Sequence, residues 1–140
     1  MPREIREFLE TWQDRVFVKS VKRLRAKEKA TLEARLEMLY GLLSTCRHPI
    51  TDPQLATFQP TPYWVALRTP GIRLAEYRLG PLCRVVAAYF ENTEDILLIA
   101  ISVDHDHPRL KVLVKKYDSA GDADQEQEAM SEEPGDADDS

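Results

Sequence analysis

The sequence predicts an α+β fold: two N-terminal helices packed on a three- to four-stranded antiparallel sheet, closed by a short C-terminal helix. Three observations predict it. Before residue 47 the apolar residues recur at helical spacing. After Gly71 they gather into three short β-rich runs separated by turn signals. Residues 108–117 then return to a helical stripe.

Near the N-terminus Ile5, Phe8, Leu9 and Trp12 fall at helical spacing, and Phe17, Val21 and Leu24 do so again, so MPREIREFLETW reads as helix. Lys19, Lys22, Arg23, Arg25, Lys27 and Lys29 flank the second set. They read either as a solvated face or as a phosphate-contacting one. From Ala30 to Cys46, residues Leu32, Leu36, Leu39, Tyr40 and Leu43 form the stripe of a helix packed on one side, ended by the HP and DP pairs. The two helical segments, joined across the charged 25–30 region, are expected to form an antiparallel pair. Residues 54–70 carry no clear periodicity; Trp64 there reads as a lid on the core or as a stacking surface for a base.

The strand candidates are IRLAEYRL (72–79), LCRVVAAYF (82–90) and ILLIAISV (96–103), joined by GP and ENTED. Such short connections predict an antiparallel meander. The third strand is apolar on both faces, so the side away from the helices needs cover from the 54–70 segment, the final helix or a partner. The final helix, PRLKVLVKKY (108–117), has Leu110, Leu113, Val114 and Tyr117 on one stripe, Pro108 in its first turn, and Asp106 or His107 as its cap.

Charge divides the chain into a domain at 1–117 and a tail at 118–140. The tail, DSAGDADQEQEAMSEEPGDADDS, has ten acidic residues, no basic ones and one sizeable apolar side chain, Met130. Such a composition cannot offset its ordering entropy and reads as a disordered acidic tail. All 19 basic residues lie in 1–117 with 14 of the 24 acidic ones, so the net charge of −5 conceals a body at +5 and a tail at −10. A basic body suggests an anionic partner, nucleic acid or acidic protein. The tail reads as a solubilising arm or as a tethered phosphate mimic on the basic groove. The longest apolar run, ILLIAISV, is far too short to span a bilayer. Cys46 and Cys83 lack framework spacing and no leader is evident, so a cytoplasmic setting is expected.

Arg84 sits among Leu82, Val85, Val86, Ala87 and Ala88. An unpaired guanidinium in a dry core costs several kcal/mol, so Arg84 must be paired, open onto a wet groove, or bind an anion. Arg78 and Arg84 flank the GP turn. If they share a face, a carboxylate such as Glu76 or an anion should lie between them. DHDHP (104–108) follows the third strand, and its histidines read as part of a helix cap, as a metal site short of ligands, or as acid/base groups.

On YRLG, CRVVAAYF, ILLIAIS and the polar DHDH turn, the chain resembles the RelE/ParE superfamily of bacterial toxins, and VFVKSVKRL (16–24) resembles the family's opening helix. The resemblance spans about residues 16–117 and is most specific at Arg78, Arg84 and the strand after them. It implies helices on an antiparallel sheet and an antitoxin protein that wraps the toxin. RelE-like members cut mRNA, commonly on the ribosome; ParE-like members act on DNA gyrase. By resemblance, Arg84 would stabilise charge on the scissile phosphate, Arg78 would orient it, and His105 or His107 would move protons. Arg68 and Arg73 would substitute for the family's lysines, and Lys19, Lys22, Arg23, Lys115 and Lys116 would contact RNA. The resulting expectation is a metal-independent endoribonuclease with no cofactor. The alternative is a non-catalytic binding module, ParE-like or holding an acidic protein partner.

Overall fold

Five strands form one sheet in the order β1-β5-β4-β3-β2, and a computed structural model describes residues 3–8, 12–63, 65, 67–81, 83–103 and 108–119 of the chain. The strands are β1 (Ile5–Glu7), β2 (Thr61–Pro62), β3 (Ile72–Arg78), β4 (Cys83–Phe90) and β5 (Ile96–Val103). The expected meander is β3-β4-β5, antiparallel throughout. Among the described residues the α-helices are α1 (Arg15–Lys22) and α2 (Ala26–Thr45), with a third, α3, over 108–119, and a 3-10 helix spans Pro53–Phe58.

The largest departure from the sequence expectation lies at the N-terminus. Residues 5–7 are not helical; they form a strand that runs parallel to β5, with Ile5 opposite Ile96. The sheet is therefore mixed and five-stranded, not antiparallel with three or four. Tertiary contacts override the local spacing here. The Arg3 amide donates to the Ser44 carbonyl at 2.8 Å. Its guanidinium donates to the Leu43 and Cys46 carbonyls at 2.8 and 2.9 Å, closing the open end of α2. The segment is thus tied to the helix end and drawn along the β5 edge.

Helix α1 starts where Asp14 accepts from the Phe17 amide at 3.0 Å, an N-cap that satisfies one orphan donor. Only residues 23–25 separate it from α2, so the charged 25–30 region expected as a linker is mostly helix. Glu28 accepts from the Arg25 amide at 3.2 Å in the first turn of α2. Leu32, Leu39 and Leu43 are buried from that helix.

Side-chain alternation in the sheet separates two cores. One face carries Ala75, Tyr77, Leu79, Val85, Ala87, Leu98 and Ile101 against Phe17, Leu32, Leu39 and Leu43 of the two N-terminal helices. The Tyr77 side chain is wholly buried there and donates to the Pro49 carbonyl at 2.6 Å. The other face carries Leu74, Val86, Ala88, Ile99 and Ala100 against Leu110, Leu113, Val114 and Tyr117 of α3, with Tyr63, Val65 and Leu67 at its margin. The final helix thus supplies the cover that the apolar third strand requires, with Tyr63, Val65 and Leu67 of the 54–70 segment beside it, while Leu55 and Phe58 of that segment pack in the first core. Asp118 and Ser119 belong to α3; residues 120–140, the rest of the expected tail, lie outside the described residues.

Candidate anion-facing site at the β3–β4 hairpin

Gly80, at φ +120°, opens the connection between β3 and β4, in a backbone region that favours glycine. The Leu79 amide donates to the Cys83 carbonyl at 2.9 Å. The pairing of Leu79 with Cys83 therefore leaves three residues between them in sequence, in place of the two expected. That odd count sets Arg78 directly opposite Arg84, and directly opposed residues share a face. A two-residue turn would have set Arg78 opposite Cys83 and sent Arg84 to the other side.

The face they share is the one α3 covers. Glu76 lies on it too, diagonal to Arg84, and its carboxylate accepts from the Arg84 guanidinium at 3.2 Å. The two side chains are 15% and 11% exposed, whereas Arg78 is exposed. Of the three ways to keep a guanidinium in this apolar run, the protein uses a carboxylate partner. That leaves Arg78 as the outward charge of the pair. Ser102 stands opposite Arg84 on β5. It is 3% exposed, and its hydroxyl has no hydrogen-bond partner among the described residues. Tyr63 borders the same region, and its phenol is raised above the ordinary range by burial and then by the Glu76 charge.

Strand β5 ends at Val103, opposite Cys83, so that end of the strand lies at the end of the sheet where Arg78 and Arg84 stand. His105 and His107 lie outside the described residues, as does Trp64.

The remaining basic candidates do not converge. Arg73 pairs with Glu91 at 2.5 Å on the surface. The Arg68 amide donates to the Asp118 carboxylate at 3.1 Å, with the guanidinium 3.9 Å from the same side chain. Lys19 and Lys22 are exposed on α1, and Arg23 is its C-cap. That helix packs on the sheet face opposite the arginines. Lys115 and Lys116 are exposed on α3, on the arginine side. The predicted RNA-contacting set is thus divided between two sides of the sheet.

Sequence reasoning missed two features. Ser102 was visible only through register, since nothing in ILLIAISV marks the serine without knowing its cross-strand partner. The contact between Asp14 and Arg109 joins residues 95 positions apart and had no local signal.

Neither cysteine is a nucleophile candidate. Burial pushes the Cys83 thiol up to about 12, and burial raises Cys46 despite the opposing charge of Arg3. Both are free and buried. Thiol-reagent labelling at pH 8 should therefore run at least ~100-fold slower in the native protein than in denaturant; equal rates would place a thiol at the surface. Among the described residues no group of His, Cys, Asp or Glu is arranged to hold a metal ion, and no helix is long and apolar enough to cross a membrane.

The chain matches no protein-family profile and no curated protein. Among solved structures it is similar to an archaeal RelE–RelB complex from Pyrococcus horikoshii, at 14% identity and a TM-score of 0.44, over 76% of this chain and 99% of that one. A likeness this distant assigns neither family nor activity.

Proposed function

We propose that the chain is a RelE/ParE-like toxin, neutralised by an antitoxin protein, that acts by gripping an anionic partner with the end of its β3–β4 hairpin. The observation that carries this reading is the cross-strand arginine pair on one sheet face. Two like charges directly opposed are unfavourable unless something negative is nearby. Glu76 serves Arg84, and the exposed Arg78 remains to meet a carboxylate or phosphate from outside. The sequence resemblance at YRLG and CRVVAAYF supplies the toxin class.

Binding is favoured over cleavage because Arg84, the residue that would stabilise a scissile phosphate, is 11% exposed and engaged by Glu76. Endoribonuclease action on mRNA is the second reading. It is favoured by β5 ending beside the arginines, from which point the sequence enters DHDH.

The experiment is controlled expression in bacteria. Growth arrest is expected, relieved by a co-expressed antitoxin-like protein from an adjoining reading frame, with bulk mRNA intact. Arg78→Ala should restore plating by at least ~10-fold, since its exposed position leaves the core untouched. Absence of arrest by the wild type would sink the toxin reading. Cut mRNA that becomes intact with His105→Ala plus His107→Ala would establish cleavage over binding.

A further inference from the structure

Between exposed Pro108 and Ser119 at its two ends, the outer face of α3 is basic around one apolar residue, Val112. Lys111, Val112, Lys115 and Lys116 are all exposed, at helical spacings that place them opposite the buried stripe of Leu110, Leu113, Val114 and Tyr117. Val112 is 51% exposed. The three lysines have no carboxylate partner among the described residues. Lys111 and Lys115, four apart on one helix face, repel each other. Asp118, the acidic residue of 108–119, turns away to the Arg68 amide. A repulsive, uncompensated face of this kind favours an acidic occupant.

The chain itself carries one. Residues 126–133 read EQEAMSEE, four carboxylates around Met130, the one large apolar side chain after Tyr117. We infer that the Glu126–Glu133 segment docks on the outer face of α3, with Met130 against Val112 and its glutamates against Lys111, Lys115 and Lys116. The two patterns are complementary: basic around an apolar centre on the helix, acidic around an apolar centre in the segment. Reach is sufficient. Val112 lies seven residues, about 10 Å, from the end of α3, and the ten residues 120–129 span up to ~33 Å. The Asp118 contact with Arg68 fixes the last turn of the helix and hence the point from which the segment returns. Tethering by so short a connection holds the segment at roughly millimolar effective concentration. The docked segment would cover the basic face of α3, so an outside polyanion binding there would have to displace it. This docking requires neither a toxin activity nor an antitoxin.

The test uses the full chain with Ser131→Cys carrying a nitroxide label, the native cysteines being buried. Amide signals of residues 111–116 should lose at least about half their intensity at low ionic strength and regain it near 0.5 M salt, where the screening length falls to several ångströms. Changing Lys111, Lys115 and Lys116 together to Glu should abolish the broadening while the signals of β3 to β5 hold their positions, and Met130→Ser should weaken it. No broadening at 111–116, or broadening that survives the charge reversal, would overturn the proposal. So would equal broadening in mixtures in which label and isotope sit on different molecules, since the occupant would then be a second copy.

Discussion

Glu76→Ala should lower the unfolding free energy by about 3 kcal/mol, seen as a fall in the urea midpoint with little change in slope. The carboxylate accepts from Arg84 at 3.2 Å with both side chains at least 85% buried, so its removal takes away a group that offsets the guanidinium's lost hydration. Replacing both partners has the opposite logic. Glu76→Leu with Arg84→Met removes the desolvation cost together with the attraction, and such swaps are often neutral or stabilising. The double variant should fall within about 1 kcal/mol of the parent. Because it is folded and lacks the inner arginine, it separates the two roles of the site. If Arg84 serves only to complete the sheet, the double variant still arrests growth and Arg78→Ala does not. A cost below about 0.5 kcal/mol for Glu76→Ala would mean that the pair is loosely held. Arg84 would then be available to an anion, and cleavage would regain ground.

The run LCRVVAAYF demanded a partner for Arg84 on energetic grounds alone, and Glu76 was legible as the candidate because the two lie near one turn. The strands of the meander were legible because each run is long, β-rich and bounded by turn residues. What the sequence could not decide was parity. One residue more or less in the 80–82 turn moves Arg84 from one face of the sheet to the other, and GP is compatible with either count. β1 was illegible for a different reason. Three residues are too few to show alternation, and Ile5, Phe8 and Trp12 happen to satisfy a helical period, while the forces that select the strand come from the far end of α2 through Arg3. The cover over the second sheet face was legible as a need but not in its source, because α3 meets Tyr63, Val65 and Leu67 there only through tertiary packing.

Asp14→Ala should cost a similar amount, about 3 kcal/mol, for reasons that a second substitution can separate. Asp14 caps α1 through the Phe17 amide at 3.0 Å and also accepts from the Arg109 guanidinium in the first turn of α3. Its side chain is 8% exposed. Loss of an N-cap removes about 1 kcal/mol, and loss of a charged hydrogen bond at a largely buried site removes about 2 more. Asp14→Asn keeps a good cap and loses the charge, so it should cost about 2 kcal/mol, its shortfall relative to Ala measuring the cap alone. The pair is a polar tie between the N-terminal helices and the start of α3, while Asp118 and Arg68 hold its other end. Hydrogen exchange should therefore rise first at residues 110–113 in Asp14→Ala, with β3 and β4 protected as in the parent. If protection falls evenly across the sheet instead, α3 is fixed by its apolar stripe alone. The basic face it presents would then owe its position to Leu110, Leu113, Val114 and Tyr117, and the Asp14–Arg109 contact would be incidental to it.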